Sequence, residues 1–210
     1  MSLRLVALTG IVALSLSACG EPAPADKTAG EAAATSATAP AEAANADFDL
    51  ASVPLSTADL APSPYFAAPA GYRAEESGDI RATQFPIWLG DRFQIVEGDV
   101  HWTRIGAEDG KTLSRTEVER AVETAVLAAG GVKVGSGQVP ESAASALPET
   151  MRQELLSALG DNTNSPTTDY VIRRADKTIW VHSVVSIEVA HLTVVDAPPL
   201  APAAPGPASN

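Results

Sequence analysis

The chain has 210 residues, a formal net charge of −12 and 19% charged residues. This length suits one domain with appendages. The acidic balance disfavours nucleic acid as a partner, because neutralising a run of phosphates requires clustered Lys and Arg. It also disfavours adhesion to anionic lipid through a basic patch. The single cysteine, Cys19, excludes an intramolecular disulfide, so we expect a hydrophobic core to hold the domain together.

The N-terminus has the features of an export signal. Arg4 precedes an apolar run, Leu5 to Leu16, which is too short to cross a bilayer as a helix. The run ends in Leu-Ser-Ala-Cys at 16–19, which resembles the lipobox of bacterial lipoproteins. In that family the cysteine takes a diacylglyceryl group, the signal is cut just before it, and the new amino group is usually acylated. The resemblance therefore implies lipidation of Cys19; the alternative is an ordinary export signal with a chance cysteine.

Two segments outside the expected domain have compositions unfavourable to folding. Residues 19–46 are rich in Ala, Pro, Thr and Glu and have too little apolar surface to offset the entropy of ordering. We therefore interpret residues 1–18 as the signal peptide and 19–46 as the lipidated cysteine with a disordered tether. Residues 197–210 are read as a disordered Pro/Ala tail. Gly20 follows the cysteine, and the enterobacterial sorting pattern then implies the outer membrane, with the inner membrane as the alternative.

The domain itself is expected over residues 47–196. After an irregular lead-in, Phe85–Leu89 and Phe93–Ile105 have the pattern of two strands joined by a turn at Gly90-Asp91.

A helix is expected next. Ser114 and Glu117 are spaced as a capping box, in which each side chain accepts from the other's backbone N–H. The helix then has an apolar face at helical spacing, formed by Val118, Ala121, Val122, Ala125 and Val126. Gly130-Gly131 is expected to end it. A short strand is predicted at Val132–Val139.

The C-terminal half is predicted to contain one helix and three strands. The helix begins near Pro148 and ends at Gly160, with an apolar stripe at Leu147, Met151, Leu155 and Leu159. The strands are Tyr170–Arg174, Lys177–Val185 and Ile187–Val195, the first two joined by a turn at Ala175-Asp176. The resulting order, ββαβαβββ, predicts an α+β domain with a largely antiparallel sheet and two helices on one face.

Several segments from Ala67 to Asp196 resemble a known domain. They are FPIWLGDRFQIVEGDV, AAGGVKV, LGDNTNSPTTDYVIRRADKTIWVH and HLTVVD. They are similar to the domain that precedes the OmpA-like peptidoglycan-anchoring domain in some outer-membrane lipoproteins. The resemblance implies an envelope location and no catalytic residue. No OmpA-like domain follows here, so peptidoglycan binding is not implied.

The residues that most often perform chemistry are not arranged for it. His101, His182 and His191 do not have the spacing of metal ligands, so neither a metal nor another cofactor is expected. Gly135-Ser136-Gly137 lacks the spacing of a nucleophile elbow and indicates a bend or bulge. The sequence has no phosphate loop or dinucleotide fingerprint. We therefore predict no catalytic residue.

One candidate binding surface lies on the predicted C-terminal hairpin. If Ala175-Asp176 is its turn, Ile172 faces Ile179 on an apolar side of the sheet. The opposite side then carries Arg173, Trp180 and His182, which could pack against a sugar, a peptide or a protein, with Arg173 over the indole ring. The alternative is that another part of the domain covers this side.

The leading hypothesis is a non-enzymatic envelope lipoprotein, a tethered periplasm-facing module that docks an envelope protein. The membrane would be contacted through lipid on Cys19. The first alternative is a binder of a small or glycan ligand, in a concave pocket lined by Trp88, Trp102 or Trp180. A hydrolase is the third hypothesis, and it requires a histidine, a serine and an acid that converge in a cleft.

Overall fold

The computed structural model describes residues 48–200. The strands are β1 (Tyr72–Trp88), β2 (Phe93–Ala107), β3 (Val132–Gly137), β4 (Thr167–Arg173), β5 (Thr178–Val185) and β6 (Ala190–Ala197). The helices are α1 (Arg115–Ala128), α2 (Glu141–Ala146), α3 (Glu149–Glu154) and α4 (Leu156–Leu159), preceded by a 3₁₀ turn at Leu50–Ser52. The strands form one sheet in the order β1-β2-β6-β5-β4-β3, and every neighbouring pair is antiparallel. The α+β class and the antiparallel sheet are confirmed.

The order ββαβαβββ and the placement of two helices on one face are not confirmed. The single helix expected from Pro148 to Gly160 is divided into the two short helices α3 and α4, and a further short helix that was not expected, α2, precedes them. Helix α1 packs with Tyr170 and Ile172 of β4, whereas Leu155 and Leu159 pack with Val171. Because successive strand residues point to opposite faces, α1 and α4 cover opposite sides of the sheet. The part of the sheet formed by β4, β5 and β6 is therefore buried on both faces.

The start of α1 differs from the expected capping box in one of its two bonds. Ser114 Oγ accepts the Glu117 backbone N–H at 3.4 Å, as predicted. The Ser114 backbone N–H instead donates to the Tyr72 hydroxyl at 3.1 Å, and that hydroxyl donates to the Glu117 carboxylate at 2.8 Å. Tyr72 thus stands between the two capping partners and ties the helix to the first residue of β1. At the other end, the Gly131 N–H donates to the Val126 carbonyl and the glycine pair closes the helix as expected.

The β1–β2 hairpin bends and folds over one face of the sheet. The bend lies where Ala82 has φ +49° and its N–H donates to the Asp99 carboxylate at 3.0 Å. Beyond the bend, residues 83–88 and 93–98 extend past β6, which pairs with β2 only from Asp99 to Ile105. We call this part the hairpin arm. It brings Phe85 and Ile87 into the same core cluster as Trp180 and Leu155.

The tip of the hairpin arm reaches the far edge strand, β3. A Cβ placed on Gly135 would lie 2.0 Å from the Trp88 carbonyl oxygen and 2.7 Å from the Leu89 backbone. The ladder between β3 and β4 shifts register between Lys133 and Gly135. The bend or bulge expected at Gly135-Ser136-Gly137 is displaced by one residue, because Val134 is the unpaired residue and the three that follow pair regularly with β4. The missing side chain of Gly135 makes room for the arm.

Residues 48–71 form a strap that runs from one face of the sheet to the other. Phe48 packs edge-on against Trp180, and Val53 belongs to the same cluster. Leu55 forms a bridge with Arg173 at the end of β4. Farther along, Tyr65 and Phe66 pack in the cluster of α1 on the other face. The irregular lead-in expected here is thus an ordered part of the domain.

Some expectations concern parts of the chain outside the described residues. The signal peptide, Cys19, the tether over 19–46 and the end of the tail from residue 201 lie there. Ala197, which was expected to begin the disordered tail, pairs with Thr178 in the sheet. Among the helices that the structure describes, none combines the length and the apolar character needed to cross a membrane.

Candidate functional site

The predicted surface of Arg173, Trp180 and His182 is not exposed. Trp180 retains 3% of its exposure and His182 none. Trp180 lies beneath Phe48 of the strap, and His182 lies beneath Phe85 of the hairpin arm, with ring centroids 5.4 Å apart. This expectation is wrong because the strap and the arm cover the side of the sheet that was expected to face solvent. The alternative, coverage by another part of the domain, is the one observed.

Arg173 has a structural role in place of the expected contact with the indole ring. Its Nη1 donates to the backbone carbonyls of Ala51 and Val53 at 2.8 and 3.0 Å. Its own carbonyl accepts the Ser56 N–H at 2.7 Å. Arg173 therefore clamps the strap where the chain enters the domain.

The hairpin arm encloses a buried polar cluster formed by Thr167, Asp169 and His182. Nδ1 of His182 lies 2.8 Å from Oδ1 of Asp169, and the Thr167 hydroxyl donates to Oδ2 at 3.2 Å. On the other side of the ring, Nε2–H donates to the Leu159 carbonyl at 3.1 Å. All three side chains are fully buried. The backbone N–H of Trp88 donates to the same carboxylate, so the cluster joins β4, β5, α4 and the arm.

Burial and pairing act in opposite directions on these ionisable groups. Burial opposes charge on the imidazole, but the charge and hydrogen bond of Asp169, with the Leu159 carbonyl, outweigh it and raise the pKa of His182. Burial also raises the pKa of the Asp169 carboxyl, and its hydrogen bonds offset this effect only in part. In both cases the folded protein holds a proton more tightly than the unfolded chain.

The cluster does not have the geometry of a nucleophilic triad. In such a triad the hydroxyl and the carboxylate occupy different nitrogens of the imidazole. Here Thr167 and Asp169 both approach Nδ1 of His182, while Nε2 is bound to a backbone carbonyl. No solvent reaches the hydroxyl, since Thr167 has 0% exposure. The arrangement fixes the packing of the arm and offers no access to a substrate.

A second histidine cluster, Asp79, His101 and Thr103, lies on the outer part of the sheet. Nδ1 of His101 is 2.9 Å from the Asp79 carboxylate and Nε2 is 3.3 Å from the Thr103 hydroxyl. This order matches a catalytic relay, but Thr103 lies in the middle of β2, between β1 and β6. Its backbone is part of the ladders on both sides, so it supplies no free N–H groups to stabilise an oxyanion.

Within residues 48–200 there is no group of three or more His, Cys, Asp and Glu side chains placed to bind a metal ion. The third histidine, His191, donates from Nδ1 to the Ser157 carbonyl at 2.9 Å. Burial lowers the pKa of His191. His191 is thus not part of the polar cluster around His182. It lines a separate groove on the surface.

This groove has a volume of about 400 Å³ and lies between the short helices, the loop that follows them and the first residues of β6. We call it the helical groove. Its apolar lining includes Leu147, Leu156 and Leu159. Leu147 and Leu159 are buried, but Leu156 retains 72% of its exposure. An exposed leucine on the wall of a groove is free to contact a partner.

The polar lining of the helical groove includes both acidic and basic side chains. Glu141 and Asp161 face it together with Arg152 and His191. Arg152 is already hydrogen-bonded to Glu149 on the same helix, and its Nε is buried without a hydrogen-bond partner among the described residues. The groove therefore combines apolar walls with two carboxylates.

Sequence reasoning did not identify the helical groove, although part of the signal was present. The stripe of Met151, Leu155 and Leu159 was expected to be buried, and Leu155 and Leu159 are. Leu156 follows Leu155 directly and therefore falls outside the i, i+4 spacing of this stripe. An apolar residue off the buried stripe of a helix is expected on the surface. Helix α2, which supplies Glu141, was not predicted, because Glu141–Ala146 is alanine- and serine-rich and shows no apolar periodicity.

The candidate site thus has two parts, a buried Asp169–His182 pair that holds the arm and an open helical groove. No family model matches the chain, and no curated protein matches it either. Any assignment of function therefore depends on the residues themselves.

Proposed function

We propose that this protein is a lipid-anchored component of the cell envelope, held in the outer membrane through Cys19 and facing the periplasm. Residues 19–46 act as its tether, and the domain is a non-enzymatic module that docks an envelope protein through the helical groove. The similarity to the domain that precedes OmpA-like domains is part of this proposal. It is consistent with a module that works by binding.

The observation that carries the proposal is the position of the helical groove relative to the chain ends. The chain enters the domain at Phe48, beside Trp180, and leaves after Ala197, which pairs with Thr178. His191 of the groove lies six residues earlier on β6, which is roughly 20 Å along a strand. The point at which the tether joins the domain and the groove thus lie toward opposite ends of β5 and β6, so attachment at Phe48 does not itself cover the groove.

The small or glycan ligand is the alternative, and its expected pocket is not supported. Trp88 and Trp180 are buried, and Trp102 packs against Gly78, where a Cβ would lie 2.9 Å from the indole ring. The helical groove contains no tryptophan, tyrosine or phenylalanine on which a sugar ring would stack. Its volume lies in the range of small-molecule sites, so a small amphiphile remains the occupant to test against a protein.

The proposal is tested with a photo-cross-linking amino acid in place of Leu156 in the full-length protein in intact cells. We expect a discrete adduct with one envelope protein. The matched control carries the same amino acid at Leu127, an exposed leucine of α1 with 49% exposure. Equal capture at both positions, or no protein adduct at Leu156, would overturn the proposal.

A further inference from the structure

We infer that the helical groove takes an apolar protein segment that carries a lysine or arginine, with the cationic group set between Glu141 and Asp161. This inference rests on the proposed function and specifies the chemistry of the partner. The observations behind it are the apolar walls of the groove and the state of its two carboxylates.

The walls of the groove favour an apolar side chain in its centre. Leu147 and Leu159 retain only 9% and 7% of their exposure, whereas Leu156 beside them retains 72%. Covering most of an exposed leucine side chain on binding yields about 1.5 kcal/mol or more. A fully polar partner would leave this surface in water, so the segment must supply at least one apolar group.

The two carboxylates in the groove have neutral partners. The Glu141 carboxylate accepts the Ser145 hydroxyl at 3.2 Å. The Asp161 carboxylate accepts the Asn164 amide at 2.8 Å and the Thr163 hydroxyl at 3.5 Å. Within residues 48–200 neither carboxylate has an ion-pair partner.

Many surface carboxylates of the domain are already paired with a cation. Asp99 lies 2.8 Å from Arg81, and Lys111 and Lys133 lie 2.8 and 2.9 Å from Glu117 and Glu123. Among the lining residues of the groove the only Lys or Arg is Arg152, which is held by Glu149, and burial disfavours the charged form of His191 by lowering its pKa. The groove is therefore left with a negative potential that an incoming cation would complement.

This potential also separates the protein partner from other occupants. An anionic lipid headgroup would bring phosphate beside two carboxylates and be repelled. A second copy of the chain would add another net charge of −12. A segment with an apolar side chain near a Lys or Arg satisfies both parts of the groove.

The experiment combines the cross-linker at Leu156 with the neutral, nearly isosteric changes Glu141→Gln and Asp161→Asn in the full-length protein. We expect the double variant to lose about fivefold or more of the adduct, because two charge-assisted contacts are removed. Glu97→Gln, at an exposed position of β2 outside the groove, is the matched control and should leave the adduct unchanged. An unchanged thermal unfolding midpoint in the double variant shows that the fold is retained.

The position of the cross-link on the partner supplies the decisive readout. Mass spectrometry should place it within about one helical turn of a Lys or Arg. Changing that residue to Glu should abolish the adduct, and Glu141→Lys with Asp161→Lys should restore it. A protein adduct that forms equally in the Gln/Asn variant, or that maps to an acidic segment, overturns the inference while docking at the groove stands. If Leu156 captures only lipid or nothing, the proposed function fails as well.

Discussion

At the scale of single residues, the most informative difference between expectation and structure is His182. Alternation along β5 placed it correctly on the face opposite Ile179, since Ile172 pairs with Ile179 as predicted. Of the two readings of the opposite face, a binding surface or a face covered by another part of the domain, the structure shows the second. Every residue of β5 is buried. A strand that is covered on both faces need not alternate between apolar and polar residues, so its sequence does not show which face meets solvent. A polar residue in such a strand requires a buried partner, which Asp169 supplies.

The buried pair predicts a dependence of stability on pH. The pKa of His182 is raised in the folded state. Above the unfolded value of about 6.5, the native protein therefore keeps a proton that the unfolded chain has released. The free energy of unfolding should then fall as the pH rises from about 6.5 through the native pKa. Urea denaturation at a series of pH values from 6 to 9 measures this slope.

Asp169→Asn removes the carboxylate that raises the pKa of His182. The variant should be less stable by about 2 kcal/mol near pH 6.5 and should lose most of the slope above that pH. His191 supplies an internal control, since its pKa is lowered by burial and its effect, a rise of stability with pH, is confined to pH below 6.5. A slope above pH 6.5 that persists unchanged in Asp169→Asn would show that the pair does not hold the proton.

Gly135 predicts a steric effect that depends on backbone contact. In Gly135→Ala the new methyl group would meet the Trp88 carbonyl and the Leu89 backbone, which cannot move without displacing the hairpin arm. We expect a loss of about 3 kcal/mol in the free energy of unfolding, measured by chemical denaturation. Gly106→Ala is the matched control in β2, because the nearest atoms to its methyl group would belong to the Glu75 side chain, which can move by giving up surface ion pairs and without displacing backbone. Equal losses in both variants would contradict this account of the arm.

At the scale of elements, the sequence predicted those whose signals are local. The end of α1 at Gly130-Gly131 and the turn between β4 and β5 depend on nearby residues, and both were placed correctly. β1 was expected only from Phe85, because the residues from Tyr72 to Gln84 are mostly polar or charged and exposed, and they form an edge of the sheet. Charged side chains on an edge strand prevent its pairing with other chains. They also remove the alternation of apolar and polar residues by which a strand is predicted from sequence.

The strap is an element that sequence patterns do not reveal, because its order depends on Arg173, more than a hundred residues later. Arg173→Ala should release residues 48–56 from the end of β4. We expect faster amide hydrogen exchange in this segment and in β5 around Trp180, with a loss of about 1–2 kcal/mol in global stability. Hydrogen exchange resolved by peptide would detect the change.

Arg104→Ala is the control for the strap, since Arg104 is exposed and lies 3.7 Å from Glu75 in a surface ion pair. It should change global stability by less than about 1 kcal/mol and leave exchange of residues 48–56 unaltered. If Arg173→Ala behaves in the same way, the strap is held by its apolar contacts with Trp180 and the clamp has no role.

At the scale of the whole molecule, long-range coverage of the sheet decided what the sequence could not reveal. The fold class followed from the count and kind of elements. Which side of the sheet faces solvent did not follow from the elements. The hairpin arm, the strap and α4 cover one face, and they come from three distant parts of the chain. The same coverage brings the entry and exit of the chain to one end of the sheet. The helical groove lies toward the other end, so the segments that lead into and out of the domain do not cover it.

Anchoring through Cys19 is tested on the full-length precursor in cells. The resemblance to the lipobox implies that the thiol takes a diacylglyceryl group before the signal is cut. Cys19→Ser should therefore abolish acylation and leave the signal attached, which intact-mass spectrometry and labelling with a fatty acid would detect. Ser17→Ala keeps a small residue at its position and should be acylated and cut normally. Normal cutting of Cys19→Ser would instead identify an ordinary export signal, and the lipid-anchored part of the proposed function would then fail.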